Sequence, residues 1–421
     1  MKHPGAVLRV ALYSHVYVRH DAISASCGRK LDLLSGLRRQ RVPVEVTAFC
    51  CDSDYVADEV RRVRGVADVL QDEKFWDADL HCYEFGIHSE LHDSMAVARA
   101  GAAKLVFYHS VTPPEVCASR LRPLMEQSMR QRFNLFDAHH VACISEFNHR
   151  ELREIGIPAD RLSVVPLPAP AVETAEAPTV RQFLSREKAR LLFVGRLVQA
   201  KGVRDLFEAA RRLAAVTSDF DLCFAFNSRF SDLELLAELR SRAGASGLGR
   251  RIRFVADAPD EMLRALYAET DCVVMPSYHE GFCVPVLEAL GAGCFVIASD
   301  AGNLPHLIGE LGQLVPAGDV MALKDALREF IEEMVAARAA RRLPVFATRA
   351  GAMAAEEWWA ARAEHLAEYS VDAFERGVGE AFRRALRAAG RAPPDWLEAG
   401  CFPSLAARAR GAVGAQRSGE A

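Results

Sequence analysis

Short apolar stretches alternate with amphipathic helical segments along most of this chain, and this alternation restricts its fold more than any other feature. In the first third the Leu31, Leu34 and Leu37 side chains recur at helical spacing between two of the apolar stretches. This pattern predicts a parallel sheet with helices on both faces. The candidate strands of this part are VLRVALYS (7–14), VPVEVTAF (42–49), KLVFYHS (104–110) and HHVACIS (139–145).

A second series of the same kind begins near residue 190, after a stretch rich in Pro, Ala, Glu and Thr that we interpret as a linker. Its first helix is predicted to bury one face, formed by Val203, Leu206, Phe207, Ala210 and Leu213. After about residue 320 we predict only helices through Leu386, with Trp358 and Trp359 as apolar anchors. The candidate strands of this series are RLLFVGRL (190–197), DLCFAF (221–226), IRFVA (252–256), DCVVMP (271–276) and CFVIAS (294–299).

Composition fits a globular protein with well-formed cores. The 421 residues are 50% hydrophobic and 26% charged, and the net charge of −4 argues against nucleic acid as a partner. The 11 cysteines lack zinc spacing, which indicates reduced thiols in a cytoplasmic protein. No apolar stretch approaches the roughly 20 residues of a membrane helix, so any membrane contact is expected to be peripheral, at the inner face.

The stretch from Pro276 to Gly309 carries the strongest chemical signal. Glu280 and Glu288 lie eight positions apart. Glu280 is predicted in the turn after a buried strand, and Glu288 about one turn into the helix that starts near Pro285. A helix N-terminus that follows a strand offers backbone N–H groups and a positive dipole end to an anion. Phosphate for the helix end and hydroxyls for the carboxylates are both present in a sugar nucleotide.

A second motif, FVGRLVQAKGV (193–203), follows the first strand of the second series. Gly195 allows a tight turn, and Arg196 and Lys201 precede a helix. Guanidinium groups bind phosphate bidentately, and lysine adds a mobile positive charge. The alternative is a solvated basic pair, which a positive helix end disfavours unless an anion is present.

The segment EGFCVPVLEALGAG (280–293) resembles the donor-site signature EGF-x-x-P-x-x-EA of family 4 (group 1) retaining glycosyltransferases. The resemblance implies the GT-B fold, an α/β architecture of two Rossmann-like doubly wound domains facing a cleft. It also implies that the C-terminal helices cross back to the N-terminal domain. The expected domains are 1–168 (acceptor side), 169–188 (linker), 189–350 (donor side), 351–400 (helical crossover) and 401–421 (disordered tail).

The resemblance also implies roles for individual residues of the second domain. Arg196 and Lys201 would hold the donor diphosphate, Glu280 the hydroxyls of the transferred sugar, and Glu288 the ribose diol. The backbone amides of Phe282 and Cys283 would face the phosphates. Position 283 is more often Gly in the family, so a backbone with φ > 0 would be strained by cysteine. The full expected donor-binding set is Gly195, Arg196, Lys201, Glu280, Gly281, Phe282, Cys283, Val284 and Glu288.

On the N-terminal side KLVFYHSVTPPE (104–115) resembles the YHN-I-T-P-P segment of some family members. The resemblance places His109 beside the transferred sugar, in reach of its hydroxyls or of the leaving phosphate. Ser110 replaces the commoner Asn. The segment from residue 14 to 28 departs from the family's Gly-rich loop, and we expect a loop there, with Ser24, Ser26 and Gly28 on the acceptor or phosphate side.

Two other sequence patterns resemble metal-binding motifs. Asp52-Ser53-Asp54 is a D-x-D, and His88 and His92 are spaced i, i+4. The first lies in a predicted polar loop, and the second lacks a Glu in the position that zinc proteases use. We therefore expect no metal.

The function implied is transfer of a hexose from a UDP- or GDP-linked sugar to a hydroxyl of a glycan, lipid-linked glycan or small molecule. The anomeric configuration would be retained, without metal or cofactor, by His109, Glu280, Arg196 and Lys201. Two alternatives stay open: a GT-B sugar-nucleotide epimerase and a non-catalytic nucleotide-sugar-binding partner subunit. The sequence alone does not name the sugar, the base or the acceptor.

Overall fold

The computed structural model describes residues 7–19, 21–169 and 179–398, which form two compact units. Unit 1 comprises Met1–Val111, Pro123–Pro168 and Ser370–Ala421, and unit 2 comprises Thr112–Arg122 and Ala169–Tyr369. Unit 1 is therefore built from both ends of the chain. Residues 170–178 of the expected linker and the expected tail 401–421 lie outside the described residues.

The strands are β1 (Leu8–Tyr17), β2 (Val44–Ser53), β3 (Val60–Arg62), β4 (Leu80–Phe85), β5 (Ala103–Tyr108), β6 (His140–Cys143), β7 (Leu162–Val164), β8 (Ala189–Val194), β9 (Phe220–Phe226), β10 (Ile252–Ala256), β11 (Cys272–Met275), β12 (Phe295–Ser299), β13 (Gln313–Val315), β14 (Val345–Thr348) and β15 (Gly351–Ala354). The α-helices are α1 (Ala22–Arg39), α2 (Val66–Gln71), α3 (Glu73–Asp77), α4 (Arg122–Gln131), α5 (Glu146–Glu154), α6 (Val180–Leu184), α7 (Val203–Leu213), α8 (Leu233–Ala245), α9 (Asp260–Ala268), α10 (Val284–Ala292), α11 (Leu304–Ile308), α12 (Val320–Ala339), α13 (Ala355–Ala367), α14 (Val371–Ala388) and α15 (Asp395–Glu398).

Unit 1 contains a seven-stranded sheet in the order β3-β2-β1-β4-β5-β6-β7, and every strand pair in it is parallel. Beside β1 the order reverses, with Val10 opposite Leu80 of β4. In doubly wound sheets ligands bind beyond the carboxyl ends of the strands at this switch point. The carboxyl ends of β1, β4 and β5 are therefore the place to examine for a site.

Unit 2 repeats this plan with six parallel strands in the order β10-β9-β8-β11-β12-β13. Its switch point lies between β8 and β11, where Cys272 is opposite Leu191. The loops that follow these two strands are the two motifs of the sequence analysis, 195–203 and 276–283. The prediction of two doubly wound parallel sheets is confirmed.

The predicted apolar faces lie in the cores. Leu31, Leu34 and Leu37 of α1 are at most 5% exposed. The five apolar residues predicted on one face of α7 are all fully buried. Each fully buried Val, Leu or Phe side chain contributes about 1.5–3 kcal/mol relative to its exposed state. These helices are therefore held on their sheets mainly by apolar burial.

Two predictions about local structure were wrong. Residues 14–28 do not form a loop, because β1 extends to Tyr17 and α1 begins at Ala22, capped by the Asp21 carboxylate, which accepts from the Ser24 amide at 2.8 Å. Ser24, Ser26 and Gly28 are therefore helical. The region after residue 320 is not purely helical either, since β14 and β15 form an antiparallel hairpin. Each of its strands has only four residues, and the second, GAMA, has weak β propensity, which hid the hairpin from the sequence pattern.

The last two long helices belong to different units. In α13, Trp358 is fully buried in unit 2, and its indole N–H donates to the Leu311 carbonyl at 2.6 Å. In α14, Phe374 and Phe382 are buried in unit 1, where this helix packs on β5 and β6. None of the described helices is long and apolar enough to cross a membrane.

Candidate active site

In unit 2 the loop after β8 and the loop after β11 are held against each other by their backbones. The Tyr278 amide donates to the Ala200 carbonyl at 2.8 Å. Gly202 has φ of +61°, and a Cβ at this position would overlap the Pro276 carbonyl. Only glycine satisfies both the left-handed backbone and this close approach. The glycine of the second motif thus sets the distance between the two motifs.

This contact brings Lys201 onto Glu280. The Lys201 Nζ lies 2.5 Å from the Glu280 Oε1, and the Ser277 hydroxyl donates to the same oxygen at 2.8 Å. The two side chains are 16% and 7% exposed, so the pair is largely buried but still reachable. An ammonium group has three donors, and Glu280 uses one of them. Lys201 can therefore bind a further anion while Glu280 holds it in place.

Cys283, the N-cap residue of helix α10, has a strained backbone. Cys283 has φ of 104° and ψ of 72°, a left-handed conformation that the sequence analysis identified as unfavourable for cysteine. Among the described residues, none accepts a hydrogen bond from the amide of Phe282 or Cys283. Free amides at a helix N-terminus are the usual groups of an anion site. Burial raises the pKa of the Cys283 thiol well above its usual value, and the nearby Glu280 adds to this effect.

Glu288 lies one turn into α10, where it is partly buried. The hydroxyl of Tyr267, a buried residue of α9, donates to the Glu288 Oε2 at 2.6 Å. Burial and the Glu288 carboxylate raise the pKa of Tyr267, so that the phenol keeps its proton and fixes the carboxylate. Sequence reasoning missed Tyr267, because a tyrosine 21 positions away gives no local signal.

Gly195 and Arg196 form the turn directly after β8. Gly195 adopts φ of +156° at the end of the strand. Arg196 is exposed and forms no ion pair or side-chain hydrogen bond within the described residues. A guanidinium group without a protein partner keeps all of its donors for a ligand. Arg196, Lys201, Glu280, Glu288 and the start of α10 thus share one edge of the unit 2 sheet.

His279 also belongs to this edge, although the sequence analysis did not select it. Burial lowers the pKa of His279 to about 4, against the opposing effect of Glu280. The imidazole is therefore neutral at physiological pH and adds no charge to the pair formed by Lys201 and Glu280. Its position directly before Glu280 was the signal that could have found it.

In unit 1 the predicted residue His109 follows β5 and lies against the end of β4. Its amide donates to the Phe85 carbonyl at 2.7 Å, and its Nε2 lies 2.6 Å from the Glu84 Oε2. His109 is 8% exposed, and its Nδ1 has no hydrogen-bond partner among the described residues. Gly86 permits this approach, because a Cβ there would lie 3.1 Å from the His109 Cβ.

Glu84 is paired on its other oxygen with a buried lysine. The Lys30 Nζ of α1 lies 2.6 Å from the Glu84 Oε1, and both side chains are 0% exposed. The ammonium also donates to the Ser26 Oγ at 2.6 Å and lies 3.6 Å from the centre of the Phe107 ring. Burial acts to raise the pKa of Glu84, but Lys30 and His109 outweigh it and the pKa is lowered.

Sequence reasoning missed both Lys30 and Glu84. Lys30 looks like any lysine of an amphipathic helix, and β4 was not among the predicted strands. The available signal was a carboxylate inside the run LHCYEF, directly before Gly86. Such a carboxylate near the carboxyl end of a buried strand requires a partner.

Ser110, next to His109, has φ of 69°. Its hydroxyl donates to the Glu151 Oε2 at 2.9 Å. Asn adopts the left-handed region more readily than Ser. The backbone therefore gives a physical reason for the Asn that the resemblance associates with this position.

The two metal-like patterns have other partners. Asp52 lies 3.0 Å from the Arg62 guanidinium, and Asp54 accepts from the Arg19 amide. His92 is buried, and its two ring nitrogens lie within hydrogen-bond distance of Gln131 and the Glu84 carbonyl. Burial lowers the pKa of His92 to about 4. These contacts account for the Asp52 carboxylate and the His92 ring within the fold of unit 1.

A solved structure of similar topology identifies the fold of the chain. The chain is similar to sucrose-phosphate synthase from Thermosynechococcus elongatus with a TM-score of 0.65 and 20% identity, over 90% of this chain and 100% of that one. The chain has the GT-B fold. In the sequence, the profile of glycosyl transferases group 1 matches residues 179–343, which contain both motifs of unit 2.

Curated relatives match about half of the chain. An O-antigen chain mannosyltransferase B of Escherichia coli is 27% identical over 216 residues, 50% of this chain and 55% of the relative. A D-inositol 3-phosphate glycosyltransferase of Corynebacterium diphtheriae is 31% identical over 208 residues, 48% of this chain and 47% of the relative. The chain thus spans about half the length of these relatives.

The Gly202→Ala variant is expected to be destabilised by about 3 kcal/mol or more. The alanine would have to adopt a left-handed backbone, and its methyl group would overlap the Pro276 carbonyl. Gly247→Ala is the matched control, because Gly247 has φ of +70° with nothing within 4 Å, and it should cost only about 1 kcal/mol. Denaturant unfolding measures both, and equal costs would contradict the close approach.

The strain at Cys283 predicts different effects on stability for two substitutions. In Cys283→Gly, relief of about 1–3 kcal/mol of backbone strain offsets the cost of a more flexible unfolded chain, about 0.5–1 kcal/mol, and the lost burial of the thiol. This variant should be within about 1 kcal/mol of the parent. Cys283→Val should lose about 2 kcal/mol or more, because β-branched residues are outliers at positive φ. Equal stability of the two variants, compared by denaturant midpoint, would contradict a strained position 283.

Proposed function

We propose that the protein is a retaining glycosyltransferase that moves a hexose from a UDP- or GDP-linked sugar to a hydroxyl acceptor. The observation that carries the proposal is the pairing of Lys201 with Glu280 beside the free amides of Phe282 and Cys283. Cationic, hydroxyl-binding and anion-binding groups meet there at the switch point of unit 2. A diphosphate with a sugar attached requires these three kinds of group.

We assign the residues to parts of the donor as follows. Arg196, Lys201 and the N-terminus of α10 would bind the diphosphate, and Glu280 would accept hydrogen bonds from the sugar hydroxyls. Glu288, fixed by Tyr267, would accept from the ribose diol. The EGF-x-x-P-x-x-EA pattern supports this division of roles.

The chemical demand on the site is stabilisation of the leaving diphosphate, which gains negative charge as the glycosidic C–O bond breaks. Two side-chain cations and a helix N-terminus oppose that charge, and such groups raise the rate only when their contacts strengthen in the transition state. We propose that the leaving phosphate accepts the proton of the acceptor hydroxyl on the same face of the sugar. This route needs no covalent enzyme intermediate, and we propose that it needs no metal.

The names of the curated relatives support an acceptor of carbohydrate type. One transfers mannose in O-antigen chain formation and the other uses D-inositol 3-phosphate, according to their names. We propose a glycan, a lipid-linked glycan or a polyol as the acceptor of this chain, with the protein placed in the cytoplasm at the inner face of the membrane.

The base of the donor can be identified by thermal shift with UDP, GDP and their sugar conjugates in EDTA. We expect one nucleotide class to raise the melting temperature, because binding only to the folded state stabilises it. Nucleotide release should then depend on an added acceptor. Release of free sugar without acceptor would instead support the epimerase alternative, and a strict requirement for a divalent cation would contradict the metal-free proposal.

The Lys201→Ala variant should lower kcat/KM by about 10²–10³-fold, because a donor to the developing phosphate charge is lost. Glu280 then loses its cation, so the free energy of unfolding is measured in parallel to show that the protein remains folded. Lys188→Ala is the matched control, because the Lys188 side chain is 41% exposed and its ion pair with Asp221 is long, at 3.8 Å. Unchanged turnover in folded Lys201→Ala would overturn the diphosphate assignment.

A further inference from the structure

The buried pair of Lys30 and Glu84 holds the His109 side chain at the end of β5. The three side chains form a chain of contacts from α1 through β4 to the end of β5, with 2.6 Å between Lys30 Nζ and Glu84 Oε1 and 2.6 Å between Glu84 Oε2 and His109 Nε2. Both carboxylate oxygens are thus used. The histidine Nδ1 is the one polar ring atom of His109 left without a described partner.

The ring atom that carries the proton follows from these contacts. An ionised carboxylate only accepts hydrogen bonds, so the contact to Glu84 requires a hydrogen on Nε2. Lys30 already balances the charge of Glu84. A further proton on His109 would leave a net positive charge in a buried site, which desolvation disfavours. The neutral ring with hydrogen on Nε2 therefore leaves a lone pair on Nδ1.

We infer that Glu84, held ionised by Lys30, is a positioning residue that fixes His109 with Nδ1 as a hydrogen-bond acceptor. The ligand group that Nδ1 takes is then a donor, that is, a hydroxyl. Phosphate oxygens are acceptors and do not fit this form of the ring. The sequence left both the sugar hydroxyls and the leaving phosphate open as ligand groups for His109. The form of the ring leaves only the hydroxyls.

Lys30 is suited to this supporting role and not to covalent chemistry. Its ammonium is 0% exposed and is shared between Glu84, Ser26 and the face of the Phe107 ring. The centre of the Phe374 ring in α14, which also belongs to unit 1, lies 5.5 Å from the Lys30 Nζ. The polar donors of Lys30 are thus used within unit 1, whereas the Nδ1 of His109 is a buried atom without a hydrogen-bond partner among the described residues.

The identity of the ligand as a carbohydrate hydroxyl rests on the proposed function, but the form of the ring does not. The first test is therefore independent of turnover. In the full chain with 15N-labelled histidine, long-range 1H–15N correlation spectra distinguish protonated from unprotonated ring nitrogens, and a His109→Asn variant assigns the signal. We expect hydrogen on Nε2 and none on Nδ1; hydrogen on Nδ1 would overturn the inference.

The second test removes the positioning pair while keeping its volume. In Lys30→Met with Glu84→Gln both charges are lost together, which avoids an unpaired buried charge. The amide of Gln can face Nε2 as donor or acceptor, so both forms of the His109 ring become available. We expect mixed ring forms and a fall of about 10–100-fold in turnover of UDP-glucose or GDP-mannose, whichever the parent uses, as for other residues that orient a functional side chain.

The matched control is Lys104→Met with Asp137→Asn, which removes another lysine–carboxylate pair of unit 1 with the same 2.6 Å separation. It should leave the His109 signals and the turnover unchanged. A folded double variant of the buried pair that retains parental spectra and turnover would overturn the inference. If that variant does not fold, the parental spectrum decides. If neither donor is turned over, the proposed function fails for these donors while the spectrum still tests the ring form.

Discussion

The site of unit 2 depends on the close contact of two backbone loops at the switch point of a parallel sheet. Strands β8 and β11 are neighbours in space although about 80 residues separate the loops that follow them. Gly202 lets those loops touch at Pro276, and this contact places Lys201 on Glu280. A side chain at position 202 would separate the cation from the carboxylate, and with it the proposed diphosphate and sugar contacts.

Both units hold a lysine–glutamate pair near the carboxyl edge of the sheet, but the two pairs differ in exposure. In unit 1 the pair of Lys30 and Glu84 is fully enclosed, and Glu84 contacts His109. In unit 2 Lys201 is 16% exposed, so its charge can act on a ligand directly. Buried ion pairs add little stability by themselves because desolvation costs about as much as attraction returns. Their presence at both edges therefore favours a role in function.

Periodicity predicted the two sheets, because strands buried on both faces appear as continuous apolar runs. The candidate site residues of unit 2 were predicted from their spacing in two motifs and from the resemblance to a known signature. Their individual roles stay predictions. The unit 1 network could not be predicted in the same way. Lys30 and Glu84 are 54 residues apart, and only the fold shows that they meet. The hairpin at 345–354 was missed because its strands have only four residues each and the second is GAMA, which gives no strand signal. The strain at Cys283, in contrast, was anticipated from its residue type.

The division of unit 1 between the two ends of the chain affects how the protein can be made. Helix α14, which covers β5 and β6 and brings Phe374 near Lys30, leaves the ribosome only after all of unit 2. Domains generally fold as they emerge, with the N-terminal part first. Here the first strands synthesised lack the helix that covers their apolar face until the end of the chain is made. Unit 2, whose sheet is encoded without interruption, is therefore expected to complete its fold before unit 1 does.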